Sequence, residues 1–140
     1  MKTNTNHTIS TDIPKKMGGT DTAPQPVEHL LSALLGCTQA TAIFVGRNMN
    51  PRLFIERMEF DIQGHRDERG ALQMPISDIP DIPARLQHVS GVITVFLKQK
   101  RKNIVSEDEL RFLSEQTEIR CPVANMMKES GCVMDIKWIA

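Results

Sequence analysis

PVEHLLSALLGCTQATAIFVGR, residues 26–47, decides the fold. No charged residue falls between Leu30 and Gly46. Apolar or small side chains recur three and four apart: Val27, Leu30, Leu31, Leu34, Thr38, Thr41 and Val45. Ile43 and Phe44 widen that stripe. The spacing predicts a helix whose apolar surface wraps most of the way round, and such a helix is expected to be buried. The uncharged run falls short of a membrane span, and Ser32, Thr38, Gln39 and Thr41 interrupt it. Pro26 suits the first helical position, where its missing N–H costs nothing. Glu28 lies in the first turn, on the favourable side of the helix dipole. Cys37 sits mid-helix, between Gly36 and Thr38.

Outward from this helix the chain reads as one domain. Its 140 residues carry 17 basic and 17 acidic side chains, no tyrosine and one tryptophan. Balanced charge argues against nucleic acid or an anionic membrane as partner, and few aromatics argue against a base-stacking platform. The first residues are polar, without the apolar segment of a signal peptide, so a cytoplasmic location is expected. Residues 1–7 read as disordered, His7 to Ile13 as a short strand, and Gly18–Gly19 as a turn.

Beyond the helix, Leu53 to Gly64 alternates apolar and polar positions and reads as a half-buried strand. His65 to Gly70 reads as a charged turn. Ala71 to Arg85 holds Pro75, Pro80 and Pro83 and reads as a surface excursion. Leu86 to Lys98 is rich in β-branched residues, a second strand. The basic run Lys98 to Lys102 reads as a solvated strand end. Ser106 with Glu109 forms a capping box opening a helix through Thr117. Pro122 opens another, with Cys121 at its N-cap and Gly131 as its stop. Cys132 to Ile139 alternates as a last strand. Strands and helices are segregated, so the class is α+β.

Three cysteines, Cys37, Cys121 and Cys132, are too few for a disulfide framework. No pair has metal-ligand spacing and the four histidines do not cluster, so no metal or cofactor is expected. Each thiol is either a small core residue or a reactive one. Cys121 faces the unsatisfied N–H groups of a helix start beside Arg120, which predicts the more acidic thiol. Cys37 has only apolar or small neighbours on its own helix. Glu28 lies nine residues away, on the opposite side of a regular helix. Cys132 reads as core.

Three segments together resemble the OsmC/Ohr family of thiol-dependent hydroperoxide reductases: DIPKKMGGTDTAPQP, PVEHLLSALLGCT, and the distal CPV before a short helix and final strand. HRDERG after the first long strand adds to the likeness. The resemblance implies an intertwined homodimer with long central helices against curved antiparallel sheets, and active sites at the subunit interface. It implies a peroxidatic Cys37, which would become a sulfenic acid, and a resolving Cys121, which would condense with it to a disulfide. A thiol or dithiol reductant would restore the pair. Glu28 matches the helix-start glutamate that in relatives holds an activating arginine. No arginine precedes Arg47 here, which leaves Lys15 or Lys16 to stand in. Leu30, Leu34, Phe44 and Met126 are the expected lining for a hydrophobic organic hydroperoxide. The alternative implied is a non-catalytic, dimeric small-molecule-binding or stress-associated protein.

Overall fold

The computed structural model describes residues 1–98 and 104–140. Most of the basic run Lys98 to Lys102 therefore lies outside the described residues. The chain divides into two compact units, Met1–Leu35 and Gly36–Ala140, with the boundary inside the first helix, α1 (Pro26–Asn48).

In the first unit, the strand expected over His7 to Ile13 does not form. A single antiparallel bridge joins Lys2 to Thr8, and the backbone then curls around Asp12. The Asp12 carboxylate accepts from the Ile13 and Thr22 amides at 2.8 and 3.0 Å and from the Thr20 hydroxyl at 2.5 Å. These donors, the Thr20 hydroxyl first, hold its carboxyl well below the usual range. A side chain that collects this many local donors offers the backbone an alternative to a ladder. A 3-10 turn at Lys15–Met17 closes on Gly18 in the left-handed region.

The second unit is built on a three-stranded sheet in the order β1-β2-β3. β1 (Ile55–His65) pairs antiparallel with β2 (His88–Leu97). β3 (Val133–Ile139) joins β2 in parallel, so the sheet is mixed rather than wholly antiparallel. A parallel neighbour needs a long crossover, and α3 (Glu107–Arg120) with α4 (Pro122–Glu129) supplies it. Gly91 has φ +146°, and a Cβ there would lie 2.0 Å from the Asp61 carbonyl oxygen, so β1 and β2 close only over a glycine. The expected turn at His65 to Gly70 passes into a four-residue helix, α2 (Arg69–Leu72). The Arg69 guanidinium beside Asp67 holds that carboxyl down to about 2. The excursion that follows leaves Met74, Ile76 and Ile79 exposed, as its prolines imply.

The core joins Ala42 and Val45 of α1, and Met49 just beyond its end, to Leu53, Ile55 and Met58, to Ile93 and Val95 of β2, and to Leu113 of α3. The expectation that α1 is buried on nearly every side is not met in the single chain. Its inward stripe in the second unit is Thr38, Ala42 and Val45, spaced for one helical face, while Phe44 is 60% exposed. By length and composition alone α1 would suffice to cross a membrane.

Candidate functional site

Cys121 is set where two helices meet. Pro122 disfavours the helical region for the residue before it, so α3 ends and Cys121 turns extended, with φ −77° and ψ 112°. The same residue then caps α4, and its Sγ accepts from the Ala124 amide at 3.4 Å. The N-cap role expected from Cys121–Pro122 is thus present. Ser106 holds the far end of α3 with both halves of its capping box, which fixes where α3 delivers Cys121.

Cys121 is fully buried. Two residues of α1 reach its thiol. The Thr38 hydroxyl oxygen lies 4.0 Å from Cys121 Sγ, and Thr38 is itself buried. Cys37, next in the chain and half-buried, is near enough to act on the Cys121 thiol and raise it. The structure therefore sets the turn of α1 that carries Cys37 and Thr38 against Cys121. All three cysteines are free thiols.

The acidity expected of Cys121 is corrected by its surroundings. Burial pushes the thiol up, and the Cys37 side chain pushes it further. The Ala124 N–H and the Thr38 hydroxyl oppose that rise without reversing it. The helix-start donors exist, but desolvation of a thiolate outweighs them. Arg120, expected to help, turns its guanidinium to Gln116 Oε1 at 3.3 Å. Cys132 is buried, as its core reading expects. Burial raises its thiol too, and the Arg85 charge draws it partly back.

Glu28 belongs to the first unit. Its carboxylate accepts from the Gln25 amide at 2.7 Å, the return half of a capping box at the start of α1. Lys15 and Lys16 stand exposed in the 3-10 turn of the same unit. Of the expected apolar lining only Leu34 is buried; Leu30 and, on α4, Met126 are exposed, and Phe44 is exposed because the inward stripe of α1 runs along another face. Phe44 instead edges an open depression of about 620 Å³ with Ala40, Thr41, Ile119 and Arg120. Among the described residues no group of three or more His, Cys, Asp or Glu side chains is placed to hold a metal ion.

Sequence reasoning assigned no role to two buried hydroxyls, that of Thr38 beside Cys121 and that of Thr117. Thr38 was visible only as a polar member of the α1 stripe. Thr117 is fully buried, one turn before Cys121 on α3, and its hydroxyl has no hydrogen-bond partner among the described residues. The signal in each case is a threonine at a core-facing helical position.

Solved structures share this fold. An OsmC-like protein from Mycoplasma pneumoniae is 20% identical, with 91% of this chain and 77% of that one covered and a TM-score of 0.66. An OsmC-like protein of unknown function from Vibrio cholerae is 12% identical over 99% and 81%, with a TM-score of 0.73. An organic hydroperoxide resistance protein from Legionella pneumophila is 13% identical over 92% and 79%, with a TM-score of 0.65. No curated protein matches the sequence. The profile of the OsmC family, described as OsmC-like protein, matches residues 19–137, and the chain belongs to that family.

Proposed function

We propose that the protein reduces organic hydroperoxides through Cys37 and Cys121, as a cytoplasmic homodimer serving oxidative defence. In this reading a Cys37 thiolate attacks one peroxide oxygen. The S–O bond forms, the O–O bond breaks, and the alkoxide leaves and takes a proton. Cys121 then attacks the Cys37 sulfenic acid, forming the disulfide and releasing water. Two equivalents of thiol, or one dithiol, return the pair to its reduced state. Glu28 serves in this scheme by holding the start of α1 through the Gln25 amide. The observation that carries the reading is the contact that sets Thr38, next to Cys37 in α1, 4.0 Å from Cys121 Sγ, with Cys37 partly open and Cys121 buried. The exposed Phe44 and Ile119, which border one open depression, are apolar surface that a second copy would cover.

Stoichiometric titration of the reduced protein with cumene hydroperoxide, followed by thiol blocking and intact mass, tests it. Loss of two hydrogens mapped to Cys37 and Cys121 is expected, and Cys37→Ser should abolish turnover. A Cys37→Ser variant as active as the parent refutes the assignment. The absence of any arginine before Arg47 favours a second reading, a non-catalytic binding protein on the same fold. That reading expects both thiols to remain alkylatable after peroxide treatment.

A further inference from the structure

Resting on the reading of Cys37 and Cys121 as a redox pair, we propose that the Thr38 hydroxyl donates to Cys121 as it is expelled from the Cys37–Cys121 disulfide, making Cys121 the leaving group. Exposure sets the direction of attack. Cys37 is half-buried and Cys121 fully buried, so an external thiolate meets Cys37 Sγ first. Its sulfur forms a bond to Cys37, the Cys37–Cys121 bond breaks, and the electron pair departs on Cys121. A second thiolate then displaces Cys37 from the mixed disulfide, and Cys121 takes up a proton.

The difficulty lies in the departing thiolate. It appears in a buried setting, where unpaired charge is costly. Two groups face it with a hydrogen to give. The Ala124 amide already points at the sulfur at 3.4 Å, and the Thr38 hydroxyl stands 4.0 Å away on the other helix. A hydroxyl rotates, so it can accept from the Cys121 thiol at rest and donate to the thiolate once it forms. A charged acceptor strengthens that bond, and a better-stabilised leaving thiolate departs faster. Cys37 cannot help at that moment, because its own sulfur is then held in the mixed disulfide and has no hydrogen to give. Thr38 is thus the side-chain donor at a site otherwise hostile to charge.

The test uses the full chain with its disulfide made by diamide and reduced by dithiothreitol under second-order conditions. Thr38→Val should slow reduction roughly three- to tenfold, and Thr38→Ser should stay within about twofold of the parent. Glutathione trapping should place the mixed disulfide on Cys37. Parental speed in Thr38→Val overturns the proposal. So does a Thr38→Ser variant as slow as Thr38→Val, since packing rather than the hydroxyl would then matter. Glutathione found on Cys121 also overturns it. If Thr38→Val does not fold by circular dichroism, Thr38→Ala takes its place with the same expectation. Failure of diamide to link Cys37 and Cys121 overturns both this inference and the redox-pair reading. A disulfide formed by diamide but never by hydroperoxide removes the peroxidase reading alone, and the reduction rates still decide the role of Thr38.

Discussion

Burial of two thiols makes the stability of the protein sensitive to alkali. Cys121 is fully buried and Cys132 is 5% exposed, and burial raises both. In the unfolded chain each thiol ionises near about 8.5. Above that pH the unfolded state has shed protons that the native state still holds. The unfolded state then binds fewer protons, so stability falls as pH rises, and goes on falling until the folded pKa is passed. The slope is about 1.4 kcal/mol per pH unit for one thiol and about 2.8 kcal/mol for two. The chain has no tyrosine, so no phenol titrates in the window below the lysines. Urea denaturation from about pH 7 to about pH 10 under a phosphine reductant reads the effect directly. Cys121→Ser should remove close to half of the alkaline slope, whatever it does to stability at neutral pH. A flat profile across the window, or a Cys121→Ser variant with the parental slope, would refute the claim that desolvation governs this thiol.

Two further outcomes are expected. Thr117→Val deletes a buried hydroxyl with no partner while keeping its shape, and should raise stability by about 1 kcal/mol in urea titration; destabilisation would mean the hydroxyl is bonded after all. Ser106→Ala removes the cap of α3 and should lower stability by about 1 kcal/mol, with a matching fall in the thermal midpoint.

The strands were legible because period-two alternation is a local property. β1 and β3 fall within a few residues of where alternation predicts them, β2 where β-branched residues cluster, and the capping box of Ser106 with Glu109 and the stop at Gly131 follow from one or two residues. The N-terminal strand failed because Asp12 captures amides that a ladder would need, and a weak alternation has nothing to set against that. The breadth of the apolar surface on α1 was read correctly as composition but not as burial. One stripe of that helix meets the core of the second unit, and Phe44 does not.

The same division separates what the sequence could and could not say about Cys121. Its donors are local, so Cys121–Pro122 was enough to foretell a thiol facing a helix start. Its solvation is not local. Thr38 meets it from 83 positions away in the chain, and no window of sequence contains both. A helix start gives a thiolate its donors. A buried helix start also removes the water that made ionisation easy, and here the second effect is the larger. In the proposed cycle the Cys121 thiol, raised by burial, needs a donor at the moment it becomes charged. That is why a threonine in the inward stripe of α1, where an aliphatic residue would pack as well, bears on chemistry as well as on packing.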